Sequence, residues 1–251
     1  MSTYFVRDHK VGFKLAKKSA KALINYVSDI KLLTFYSFYK DSIEKDIKNK
    51  YVIFVRHPKE IIVSGYLYHK VCKEKWAKEP SINYYDEYLN IFSKKSIEKN
   101  TSLIIKSQNF TKIKSYQQIV KEKPQEEGLS YELNNVGYLT LTGLNEILDI
   151  DKPNVHFIDM DNYTFYFDET FNRLFKFLEI DEQKYEQVKF KLAQKTHLIL
   201  FKDRNYHKSI KHITNKELKQ NRYKDYWTQN LEQEFNHLFP NLMNKYESKL
   251  I

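Results

Sequence analysis

Residues 51–55 read YVIFV, five apolar positions in a row with no polar residue among them. A strand with one wet face alternates apolar and polar side chains, so a strand that does not alternate has to be covered on both faces. Parallel sheets meet that demand, because their crossover connections lay helices on either side. Two further short runs have the same character: YFVR at Tyr4–Arg7 and NVHFIDM at Asn154–Met160. Helical stretches separate them, at Lys14–Val27, at Asp41–Lys48 and from Pro58 to about Lys70. The expectation is an α/β fold, a three-layer sandwich with a central parallel sheet flanked by helices.

The remaining elements follow from periodicity and from breaker residues. KLLTFYSFY (31–39) reads as a second strand. Helices are expected over 83–99 and 109–121, with SLIIK (102–106) as a short strand between them. Residues 125–148 read as helical on both sides of an interruption at Gly137. ETFNRLFKFLEI (169–180) and DEQKYEQVKFKLAQ (181–194) read as helices, and 229–250 as a terminal helix kinked by Pro240. There is no internal repeat. The simplest organisation is one domain over 1–251, with a mostly helical insert around 73–150 and a basic C-terminal segment over 202–251.

Charge narrows the class of partner. Forty-two Lys and Arg stand against 32 Asp and Glu, a net charge of +10, which favours an anion: nucleic acid, nucleotide, anionic substrate or membrane surface. A single cysteine, Cys72, excludes an intrachain disulfide framework and suggests a reducing compartment. No secretory leader pattern opens the sequence and no apolar stretch reaches membrane-spanning length. The expected location is cytoplasmic, with peripheral membrane contact left open.

Two places are suited to a phosphate. The first is RDHKVGFK, Arg7–Lys14, between the first strand and the helix after it. Backbone N–H groups at a helix start point outward and the helix dipole favours negative charge there. Gly12 permits close approach, and Lys10 and Lys14 bring charge. An ordinary turn with solvent-facing lysines fits this stretch as well. Neither GxxxxGK[ST] nor GxGxxG is present, so an NTPase loop and a dinucleotide fold are disfavoured. The second place is Arg56, at the end of the apolar strand, with Ser64 eight residues on. A guanidinium fork and a hydroxyl can converge on one anion. Ser64 beside Gly65 can equally be a small pair that lets helices pack closely.

In combination these stretches resemble the PAPS-dependent sulfotransferase family, as a divergent member of bacterial type. The family's first loop, P-K-S/T-G-T, is matched by His9-Lys10-Val11-Gly12-Phe13-Lys14. Its second signature, R-[DN]-P followed by a serine, is matched by Arg56-His57-Pro58 with Ser64. The stretch from Val155 to Ile180, the sequence EEGLSYEL (126–133) and NRYKDYWTQNL (221–231) are similar to later family segments, in the same order. The hydroxyl residues of the first loop are replaced here by Phe13 and Lys14, and the glycine-rich C-terminal part is missing.

The resemblance implies a P-loop-like fold and in-line transfer of a sulfuryl group from PAPS, leaving PAP, to a hydroxyl or amine of a small-molecule or glycan acceptor. It implies that Lys10, Val11, Gly12, Phe13 and Lys14 hold the 5′-phosphosulfate, with Lys10 also assisting the leaving phosphate. Arg56 and Ser64 would take the 3′-phosphate, together with Arg222 and Lys224 from the basic segment. The acceptor needs a base; Glu132 ranks first, with His69 and Glu127 as alternatives. No metal is expected, and Asp159 and Asp161 read as a late-strand turn. Three other readings stay open: a metal-dependent small-molecule kinase or other nucleotide enzyme, a basic nucleic-acid-binding protein, and a sulfotransferase-like fold without activity. Nucleic acid is not the expected partner, and the sequence does not fix the oligomeric state.

Overall fold

The computed structural model describes residues 1–34, 36, 39–80, 114–196 and 219–250. The expected helix at 83–99, the strand at 102–106, residues 109–113 and most of the basic connector lie outside the described residues. The chain divides into two compact units. One comprises 1–58, 142–220 and 241–251; the other comprises 59–141 and 221–240.

The first unit holds the sheet. Strands β1 (Thr3–Arg7), β2 (Ile30–Thr34), β3 (Lys50–Val55) and β4 (Val155–Asp159) are all parallel, in the order β2-β1-β3-β4. The non-alternating run behaves as its composition demands: Val52 to Val55 are completely buried, as are Phe5 and Val6 on the neighbouring strand. Helix α1 (Phe13–Leu23) packs on β1 and β2, and α2 (Lys40–Lys45) connects β2 to β3. After β4 come α8 (Met160–Phe165), α9 (Phe167–Phe177), a 3₁₀ turn at Glu182–Lys184, α10 (Tyr185–Thr196) and, later, α12 (Leu242–Leu250). Helices α8, α9 and α12 lie against β4, while α10 packs on α1. The result is the expected three-layer α/β sandwich with a central parallel sheet flanked by helices.

The described residues of the second unit form helices, a 3₁₀ turn and their connections. Helix α3 (Pro58–His69) begins directly after β3, with proline at its first position, where a missing N–H costs little. It is followed by α4 (Lys75–Lys78), α5 (Tyr116–Glu122), α6 (Gln125–Asn134), α7 (Val136–Ile147, which runs on into the first unit) and α11 (Gln229–Leu238). Ser115 and Gln118 form a reciprocal capping box at the start of α5. Thr228 caps α11 by accepting from the Leu231 amide.

Several boundaries differ from the sequence reading: the second strand, expected over 31–39, ends at Thr34, the helix expected from 181 opens with the 3₁₀ turn at Glu182–Lys184, and two helix breaks fall elsewhere than expected. The break in 125–148 falls at Asn135, not at Gly137. Gly137 sits inside α7, and its lack of a side chain serves packing: a Cβ there would stand 2.4 Å from Ile62 Cδ1 and 2.7 Å from the Glu132 carbonyl oxygen. The terminal segment is not one kinked helix. It ends at Leu238 and restarts at Leu242, with Phe239 out of helical geometry ahead of Pro240. Gly→Ala in a helix interior ordinarily gains about 1 kcal/mol. Here the added methyl meets backbone, so Gly137→Ala should instead destabilise by roughly 1–3 kcal/mol in urea denaturation.

Candidate anion-binding site

In an open parallel sheet, ligands bind beyond the carboxyl ends of the strands, where neighbouring strands send the chain in opposite directions. Here that point lies between β1 and β3. From β1 the chain crosses to β2 on one side, and β3 lies on its other side. The pairing of Val6 with Ile53 brings the loop after β1 and the residues after β3 to the same end of the sheet.

The loop after β1 turns through two left-handed residues, Lys10 at φ 59° and Gly12 at φ 64°. Alternation of this kind turns successive N–H groups into a concavity that suits an anion. Gly12 is needed twice over: its φ is unfavourable for an L side chain, and a Cβ would lie 2.2 Å from Met160 Sδ. Gly12 is also the N-cap of α1. No side chain caps the helix start and no acidic residue stands in its first turn. Lys14 is exposed, and Lys18 one turn later is held below the ordinary lysine range by burial and by the charge of Lys14. Positive charge and helix dipole therefore add at this end with no local carboxylate on α1 to offset them.

Arg56 braces this loop. Its guanidinium donates to the Lys10 carbonyl at 3.3 Å, fixing the first left-handed residue against the end of β3. Asp8 braces it from beneath. The carboxylate is 4% exposed; one oxygen accepts from the His9 amide at 2.6 Å and the other from the Tyr36 amide at 2.8 Å. The Asp8 carbonyl also accepts from the Val11 amide at 3.2 Å. Burial pushes the Asp8 carboxyl up to about 7, against the pull of its two amide donors. Tyr36 is fully buried and its hydroxyl donates to the Phe54 carbonyl, so the strut reaches β3. Arg7, buried at the end of β1, donates to Thr34 Oγ1 at 3.3 Å, and burial lowers its guanidinium to about 10.

The end of β4 completes this side. Asp159 is the N-cap of α8, accepting from the amides of Asp161 and Asn162, both at 2.8 Å, and from the Tyr246 hydroxyl. Burial raises its carboxyl, while those donors and the charge of Arg56 act the other way. The His57 ring meets Tyr246 edge-on at 5.6 Å. The sequence reading has Asp159 and Asp161 as a late-strand turn; the structure makes Asp159 the N-cap of α8, with Asp161 in its first turn.

The other predicted residues lie in the helical unit. Ser64 is buried on α3, one turn beyond Glu60, and Gly65 follows it. A Cβ on Gly65 would stand 2.2 Å from Glu132 Oε1, so the missing side chain lets α6 bring that carboxylate against α3. Glu132 and His69, 63 residues apart in sequence, meet there: His69 Nδ1 is 2.7 Å from Glu132 Oε2, which also accepts from the Tyr116 hydroxyl at 2.7 Å. Both side chains are essentially fully buried. Glu127, by contrast, is exposed and pairs with Lys123 at 3.1 Å. Arg222 is buried, with a guanidinium nitrogen 3.5 Å from Glu60 Oε2, and the Tyr223 amide donates to Glu60 Oε1 at 2.6 Å. Lys224 on the same 3₁₀ turn is exposed. Trp227 braces this segment, donating to Glu232 at 2.7 Å beside the ammonium of Lys59. An open groove of about 820 Å³ in the same unit is lined in part by Glu126, Ser130, Tyr131, Tyr138 and Glu234.

The sequence reading singled out Lys10, Gly12 and Arg56 and did not single out Asp8, Tyr36 and Met160, which pack around the same loop. Asp8 carried a signal, being the one acid in an otherwise basic loop.

No protein-family model matches this sequence, and no curated protein sequence matches it. Among solved structures the fold is similar to mouse sulfotransferase SULT7A1, whose crystal structure is complexed with PAP. The match has a TM-score of 0.50 at 14% identity and covers 99% of this chain and 85% of that one. At such identity the likeness is one of fold.

Two outcomes test the loop geometry. Gly12→Ala should destabilise by roughly 2–4 kcal/mol in chemical denaturation, from the left-handed backbone and the methionine contact together. Adding Met160→Ala should recover only the contact part. The second test concerns pH. A carboxyl raised from its ordinary 3.8 to about 7 favours the folded state below the unfolded value, and that contribution is lost as pH rises through 7. Wild type should therefore lose roughly 3–4 kcal/mol relative to Asp8→Asn between pH 4 and pH 8.

Proposed function

We propose that this chain is a sulfotransferase that uses PAPS as donor and a hydroxyl- or amine-bearing small molecule or glycan as acceptor. The observation that carries the reading is the loop after β1. It has two left-handed residues, a glycine that leaves no room for a side chain, and a helix start without acid, all beside Arg56 at the β1/β3 switch point. The lost hydroxyls of the family pattern matter less in such a loop, since backbone amides supply the donors.

PAPS, when bound, supplies a sulfuryl group whose displacement leaves a phosphate. The chain's part is alignment and charge stabilisation, as in phosphoryl transfer. On this reading Lys10 and the amides from Gly12 to Lys14 hold the 5′ end and offset negative charge on the departing oxygen, while the Val11 amide stays on the Asp8 carbonyl. The family resemblance gives Arg56 and Ser64 as the candidates for the 3′-phosphate, and Arg222 and Lys224 as basic residues to be tested for the same role. Arg222 is the stronger of the two basic choices, because Glu60 orients it, whereas Lys224 is an exposed point charge. Glu132 is the first choice for the base. Its short contact with His69 makes the two one proton-accepting unit, with Tyr116 fixing the carboxylate. A metal-dependent kinase is less favoured, because Asp159 is already spent on the α8 cap and Tyr246.

Calorimetric titration with PAP, with ATP and a short oligonucleotide as controls, tests this. Wild type should bind PAP with micromolar affinity, and Arg56→Ala should weaken it by about 10- to 100-fold, the scale of a lost charged hydrogen-bond donor. Ser64→Ala and Arg222→Ala should each weaken it too. With PAPS and a responsive acceptor, Glu132→Gln should abolish turnover while sparing PAP affinity. Binding of ATP or oligonucleotide in preference to PAP would sink the assignment.

A further inference from the structure

The carboxylate of Asp8 is a puzzle in a site built for an anion. It is buried, acidic and only two residues from Lys10, where negative charge repels the proposed ligand. Burial without an ion partner is costly for a carboxylate. Yet both of its oxygens are occupied by backbone amides, one from its own loop and one from the segment after β2. We infer that Asp8 is a positioning residue for the anion loop: it accepts the amides that must face inward, and so fixes the two left-handed turns that aim the remaining amides at the ligand. The inference rests on the sulfotransferase reading only for the identity of that ligand.

Three features support it. The loop is held at each end of its bend by a different acceptor: the Asp8 carboxylate takes the His9 amide, and the Asp8 carbonyl takes the Val11 amide. The first left-handed residue is tied separately, through its carbonyl, to Arg56. The strut does not end in the loop. Tyr36, whose amide binds Asp8, anchors its hydroxyl on the Phe54 carbonyl, so the loop is registered against β3, the strand that carries Arg56. An amide side chain at position 8 keeps the shape but offers a donor where the second acceptor was, so one inward amide is released and the bend loosens.

A residue kept only for stability loses stability and affinity together when replaced. A carboxylate kept for positioning does the reverse, because removing a buried charge relieves the fold while the loop loses its shape. The experiment measures apo-protein melting temperature and PAP affinity at pH 8 for wild type and Asp8→Asn. The expected result is a melting temperature that is unchanged or higher, with PAP affinity at least tenfold lower. Unchanged affinity overturns the inference, and so does a parallel fall in both quantities. Should the variant not fold, amide hydrogen exchange on the wild type decides instead. PAP must then slow exchange at His9, Val11 and Tyr36, and exchange at these amides that PAP leaves unaltered overturns the inference. A wild type that binds no PAP defeats the sulfotransferase reading itself, a result distinct from either failure of Asp8.

Discussion

The reversal of chain direction at β1 is the constraint on which the site depends. With β2 on one side of β1 and β3 on the other, the loops leaving β1 and β3 run apart, and the carboxyl ends of these strands are left without a crossover lying on them. The candidate site in the first unit is placed by that reversal. The bend from Asp8 to Gly12 leads into α1, whose axis carries its positive end to the same place, and Arg56 arrives there because β3 is in register with β1. That register sets Val6 opposite Ile53, within the fully buried stretch of both strands.

Within that frame the polar groups are arranged by backbone acceptance more than by ion pairing. Asp8 and Asp159 are both buried, both stand at strand ends, and each accepts two backbone amides. The first shapes the loop after β1 and the second caps the helix after β4. Both carboxyls are raised by burial, so each strand end carries an acid whose charge is expensive and whose acceptor capacity is used. The helical unit repeats the pattern with Glu132, where a tyrosine hydroxyl and a histidine ring take the role of the amides.

What the sequence made legible was whatever local chemistry determines. The non-alternating run at 51–55 revealed the sheet, and the glycine and lysines between a strand and a helix revealed the loop. Arg56 stood out because a cation at the end of so apolar a strand needs a reason. Asp8 stood out only as the one acid of a basic loop; its role was not legible, because an acid after a strand looks like any turn until its two amide partners are known, and one of them comes from residue 36. Met160 was hidden for the same reason: only the parallel sheet brings it over Gly12. Gly137 misled because a glycine can break a helix or let another chain segment approach, and sequence spacing does not separate the two. The pairing of Glu132 with His69 had no sequence signal beyond residue type, since it depends on Gly65 letting two helices close.

The loop after β1 carries no hydroxyl side chain, and that has a physical consequence. A loop that lacks side-chain hydroxyls must rely on main-chain donors, and main-chain donors are useful only if the bend is rigid. Lys10 is a non-glycine residue in the left-handed region, a conformation that costs about 1–2 kcal/mol and does not persist unless its neighbours enforce it. The enforcement is visible: Arg56 on its carbonyl, Asp8 beneath the preceding amide, and Met160 closing the space over Gly12. The absence of hydroxyl side chains at 13 and 14 and the acid strut at 8 are then two sides of one arrangement. In this loop the neighbouring side chains serve to hold the backbone: Arg56, Asp8 and Met160 together fix its bend.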